Sequence, residues 1–165
     1  MDPFLILDTV FRIVHVGTAI TVVGGSVFMA FVLMPSATAI SDEEHDKLRA
    51  GVLGRWKMFV HIGVALFIIS GFYNFSRMVP LHKGDGLYHA LVGTKILLAF
   101  GVFFIAEALV GKSKAFEGMR QNRAKWLKII VTLAAIIVSI SGFVKVRGIP
   151  DAAAPAAESV SANSF

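Results

Sequence analysis

Residues 4–34 read FLILDTVFRIVHVGTAITVVGGSVFMAFVLM, and Pro35 closes the run. An α-helix needs about 20 mostly apolar residues to cross the hydrocarbon core of a bilayer, and this run exceeds that. Three more apolar runs follow, so the crossings read as residues 8–34, 57–76, 87–110 and 127–145. None alternates apolar and polar residues with period two, which argues against a transmembrane barrel. The reading is an all-α integral membrane four-helix bundle over residues 1–149, followed by an Ala/Pro/Ser-rich tail over 150–165 expected to be disordered. Ser36-Ala37-Thr38-Ala39 has the small-residue look of a signal-peptidase site. The run before it lacks a basic start and exceeds the about 7–15 apolar residues of a signal peptide, so it is expected to stay as a span.

The links carry the punctuation. Ser41-Asp42-Glu43-Glu44 is a capping box, a serine with glutamate three residues on, and predicts a helix start. The polar residues after it suggest a short amphipathic helix on the membrane surface before the second span. Arg55, Trp56 and Lys57 then read as an interfacial anchor. Pro80, Gly84, Asp85 and Gly86 supply turn chemistry between the second and third spans.

Of the 165 residues, 56% are apolar, more than the 45–50% or so of an ordinary soluble domain. The net charge of +5 would suggest nucleic acid in a soluble protein, but the basic residues crowd the short links, where they face lipid headgroups. Lipid bilayer is therefore the expected partner and nucleic acid is not. With no cysteine, disulfides, thiolate metal sites, iron–sulfur clusters and covalent heme attachment are excluded. Ten of the 16 Lys and Arg residues lie in the links after spans one and three or at the first two positions of the spans that follow. Positive-inside then puts both termini outside the cytoplasm, in a membrane of the bacterial inner type.

Gly17, Thr21 and Gly25 recur every fourth residue, a small-residue face for close helix approach. His15, Thr18, Ala19, Val22 and Ser26 form a second face, so both sides of helix one look protein-facing. Asp8 and Arg12 are four apart and can pair along one helix.

Ionisable groups inside a membrane are costly and mark functional positions. At about 1.5 Å per residue, His15 and Lys95 fall at similar depth in the outer half, with Arg12 one turn above His15 and His89 near the outer mouth. His15, Lys95, His89 and Arg12 are thus expected around one outer cavity. By the same arithmetic His61 and Glu107 can meet near the inner side. His45 and His82, in links, read as solvated surface histidines. Neutral histidine is a good heme ligand, and a nearby basic group can pair with a propionate. His15 and His89 are also the metal-ligand candidates. Copper is disfavoured because Met29, Met34, Met58, Met78 and Met119 are scattered.

His15-Val16-Gly17, Gly24-Gly25, the exit Met34-Pro35, the polar entry Ser41–Arg55, Ser70-Gly71, Gly93-Thr94-Lys95-Ile96-Leu97-Leu98 and Arg123–Lys128 together resemble the copper-resistance D (CopD) superfamily, which includes the HemJ-type protoporphyrinogen oxidases. The resemblance covers nearly all of residues 10–146. It implies a four-helix membrane bundle with His15 and Lys95 as the matched functional positions, tied to b-type heme. HemJ-type proteins usually carry a histidine two residues before the lysine, where this chain has Gly93, and often an aromatic in the first-helix notch, where it has Val22-Val23. Three functions follow as expectations. The first is a single-heme b protein for electron transfer or porphyrinogen oxidation. The second is a copper or small-cation transporter with His61 and Glu107 as its inner station. The third is a structural subunit, as a homo-oligomer or in a larger membrane complex.

Overall fold

A computed structural model describes residues 4–149, and the tail expected over 150–165 lies outside them. Among the described residues there is helix and no strand. Helix α1 is Leu5–Phe28. It runs on through a π turn at Met29–Leu33, a last α turn at Met34–Ser36 and a 3₁₀ turn at Ala37–Ala39. The π turn has a local cause. Pro35 has no N–H, and its ring would clash with the carbonyl of Phe31 in a regular helix; widening the preceding turn relieves both.

Helix α2, Asp42–Met78, begins where the capping box predicts. The Ser41 hydroxyl accepts from the Glu44 backbone N–H, and the Glu44 carboxylate accepts from the Ser41 N–H. Its 37 residues correct the expectation of a separate amphipathic helix, since residues 42–56 are the first turns of the same rod. Gly51 and Gly54 are the weakest helix formers in that stretch, and each costs about 1 kcal/mol without removing a backbone donor. At about 1.5 Å per residue α2 is roughly 55 Å long, against roughly 30 Å of hydrocarbon, so its polar start stands well clear of the core.

A 3₁₀ turn at Val79–His82 and Gly84, at φ +82°, reverse the chain into α3, Gly86–Val110. A 3₁₀ turn at Lys114–Phe116 and a short helix at Glu117–Gln121 lead to α4, Arg123–Arg147. Among the described residues, four segments are long and apolar enough to cross a membrane: Leu5–Ala39, Glu43–His82, Gly86–Val110 and Arg123–Arg147.

The helices alternate in direction. α1 packs along α2 and α3 along α4, while lighter α1–α4 and α2–α3 contacts close the ring. The apolar core is concentrated at one end. Met29, Ala30, Val60, Ile105, Ala106, Leu109, Leu127 and Ile130 form it, near the basic links. Large apolar side chains such as Ile20, Phe72 and Leu97 point outward, as lipid permits.

Of the glycine stripe on α1, the α1–α2 seam takes only Gly25. A methyl group on Gly25 would lie 2.2 Å from the Trp56 ring, and one on Gly63 would lie 2.6 Å from Val22. Gly17, Thr21 and Gly24 are exposed. Helix rotation is the reason: Thr18 and Val22 turn toward Gly63, which carries Gly17 outward. Trp56 lies half-buried on Gly25 instead of standing free at the interface.

Candidate functional site

The half of the bundle away from the basic links, the outer half in the expected orientation, is joined by polar contacts. Near its mouth, Asp8 accepts from Arg77 Nε at 2.9 Å and Arg77 Nη2 at 3.1 Å, and the Tyr73 hydroxyl donates to the same carboxylate at 2.8 Å. Asp8 therefore pairs across the α1–α2 seam rather than with Arg12. The planar guanidinium fork matches both carboxylate oxygens, which an i,i+4 neighbour on one helix matches less well. Arg12 is exposed and faces away from the interior.

The second hairpin repeats this arrangement. Arg147, at the end of α4, donates Nη1 to Asp85 Oδ2 at 2.8 Å and Nη2 to Asp85 Oδ1 at 3.0 Å. Asp85 also caps α3 by accepting from the Tyr88 backbone N–H at 3.1 Å. The Arg147 guanidinium holds the Asp85 carboxyl below its ordinary range. Each outer hairpin thus has its ends joined by one Asp–Arg fork.

His82 is buried, correcting its reading as a solvated surface residue. Its ring stacks on Tyr88 with centroids 3.6 Å apart, and Nδ1 donates to the Met78 carbonyl at 3.0 Å. The turn folds back over the start of α3, which puts a link residue inside. His89 Nε2 donates to the His82 carbonyl at 3.1 Å, so its ring is fastened to this turn. It stands six residues above Lys95, or about 9 Å along the helix.

Deeper, His15 and Lys95 do share a level. His15 on α1 meets α2 through Ser70, with Nδ1 2.9 Å from Ser70 Oγ. Phe67 presents its ring edge-to-face at 5.2 Å, and Gly71 leaves room for the imidazole. Lys95 on α3 is half-buried and within electrostatic reach of His15. Ser70 is fully buried, and its hydroxyl also contacts the Leu66 carbonyl. A serine has one proton to give. Two oxygens that close would repel without a proton between them, so the proton points at Leu66. Ser70 Oγ then accepts from His15, which fixes the Nδ1–H tautomer and leaves the lone pair on Nε2.

Near the inner end His61 Nδ1 lies 2.9 Å from Glu107 Oε1 and 2.7 Å from Oε2. The two meet as their depths suggested, on the flank between α2 and α3 and still partly exposed. Among the described residues no three His, Cys, Asp or Glu side chains gather closely enough to hold a metal ion.

Ser70 and the two Asp–Arg forks went unrecognised in the sequence. Ser70 was visible only as part of Ser70-Gly71, with nothing to mark it as a histidine partner. The forks join positions 69 and 62 residues apart. No protein-family model matches the chain, and no match was found among curated proteins or solved structures.

Proposed function

We propose that this membrane protein holds one b-type heme in the outer half of the bundle, with His15 Nε2 as an axial ligand, for electron transfer or porphyrinogen oxidation. The observation that carries the reading is the His15–Ser70 hydrogen bond, which leaves a neutral imidazole with its lone pair available inside a membrane helix pair. The donor set fits a porphyrin better than a bare ion. A macrocycle supplies four nitrogens itself, so one histidine suffices, whereas a copper site needs more protein ligands than are gathered here. Lys95, within electrostatic reach of His15, would pair with a propionate or help to hold the iron. When bound, heme supplies one-electron redox chemistry. The chain's part is to fix the imidazole orientation through Ser70 and place a cation beside it.

The test is spectroscopic. Protein purified in mild detergent from heme-replete cells is expected to show a Soret band and a pyridine hemochrome signal. His15→Ala should abolish both, and Lys95→Ala should shift the band or weaken heme retention. A colourless wild type, or an unchanged Soret band in His15→Ala, overturns the reading.

One observation favours a second reading, passage of a small cation: His61 and Glu107 pair near the inner end. Wild-type uptake in the His61→Ala, Glu107→Ala double variant would refute it.

A further inference from the structure

At the inner end, a cavity of about 440 Å³ opens between the end of α1, the first turns of α2 and the entry to α4. Its lining mixes apolar and basic side chains. Met29, Leu33 and Val52 line it together with Arg49, Arg120 and Arg123. No acidic side chain lines it among the described residues. Arg49 and Arg120 both lie within electrostatic reach of Arg123. Arg120 is partly engaged, donating to Glu117 and to the Gly111 carbonyl. Arg123 is only 5% exposed, with one arm on the Leu109 carbonyl and its Nε without an acceptor.

A buried cation with an unused donor, two like charges nearby and no carboxylate in the wall calls for an anion. An uncompensated buried charge is expensive, and an arginine fork suits a phosphate group. The apolar side chains in the lining call for that anion to carry hydrocarbon. The cavity also lies on the side with most of the link Lys and Arg residues, the cytoplasmic side by the positive-inside rule. Acidic phospholipids enrich that leaflet, and basic pockets between transmembrane helices receive their headgroups.

We propose that this cavity binds the phosphate headgroup of an acidic phospholipid, with Arg123 and Arg49 as its principal partners and Met29, Leu33 and Val52 against the upper acyl chain. The shared chemistry is a phosphate anion, which a lipid or free phosphate can supply. The lipid accounts for the apolar side chains in the lining. This site is independent of His15 and of whether heme is bound.

The experiment uses the full chain in detergent, titrated with phosphatidylglycerol, with zwitterionic phosphatidylcholine of matched chains, and with inorganic phosphate. Binding is read by native mass spectrometry and stabilisation by the thermal midpoint. Phosphatidylglycerol is expected to bind most tightly and to raise the midpoint most. Each arginine removed should weaken it about fivefold, as Arg49→Gln and Arg123→Gln. Arg49 is exposed and makes no hydrogen bond or ion pair among the described residues, so Arg49→Gln keeps the test valid if Arg123→Gln does not fold. Equal binding of phosphatidylcholine, an unchanged affinity in Arg49→Gln, or equal stabilisation by inorganic phosphate would overturn the proposal.

Discussion

The two halves of this bundle are held together by different forces. The inner half is packed: Val60, Leu109, Leu127 and Ile130 fill it, and Trp56 seats on Gly25. The outer half is tied: two Asp–Arg forks join the helix ends, and His15 bonds to Ser70 between them. In lipid, apolar surface gains little by leaving one hydrocarbon environment for another, so close packing and polar contacts must hold the helices. The inner half uses the first and the outer half the second. The packed end keeps the helices aligned, and the polar forks fasten their opposite ends.

Overfilling the packed half should have the largest effect. Gly25→Leu pushes into the Trp56 ring and should destabilise by about 1–3 kcal/mol. Gly17→Leu, on the exposed stripe of the same helix, should change little. Thermal unfolding in detergent decides; equal losses would mean that the small-residue stripe also packs, within an oligomer for instance.

Removing the tie at the deeper polar level should come next. Ser70→Ala takes away the acceptor of His15 Nδ1–H and should cost about 1 kcal/mol. The histidine would also lose its fixed tautomer, so with heme bound as proposed the Soret band should broaden more than the thermal midpoint falls. A midpoint loss with an unchanged spectrum would make Ser70 purely structural.

The mouth can be probed by pH. The Arg147 guanidinium lowers the Asp85 carboxyl, so the folded state favours the charged form. That contribution is fully present above the ordinary aspartate value of about 3.9 and is lost as pH falls through the lowered folded value. Wild type should therefore lose more thermal stability on acidification than Asp85→Asn does. Parallel acid curves would remove the fork from the account of the outer half.

The smallest effect is expected at His61–Glu107. Both side chains are more than a third exposed, and pairs of that kind contribute about 0–1 kcal/mol. His61→Ala should barely move the midpoint. A large loss would make this pair an inner counterpart of the outer forks.

Much of the candidate site was legible because depth along a helix is arithmetic. His15 with Lys95, and His61 with Glu107, come out at matching levels from the residue count alone, given the span ends. Rotation about the helix axis was not legible. It decides that Asp8 reaches Arg77 instead of Arg12, that His89 bonds to the turn at His82 while His15 bonds to Ser70, and that Trp56 covers Gly25. His45 shows the same limit: a link histidine by sequence, it lines the inner cavity because α2 begins fifteen residues before the expected span.

By itself the sequence determined that the chain is helical and has four segments able to cross a membrane. Hydrophobic run length is a local property, and the bilayer sets the length required. It also determined where α2 starts, because a capping box is satisfied within four residues. Only the tertiary structure decided which face of α1 meets α2, which tautomer His15 takes and that three arginines converge on one cavity. Each of these depends on partners far apart in the chain, whose meeting is set by packing and not by any pattern the chain carries locally.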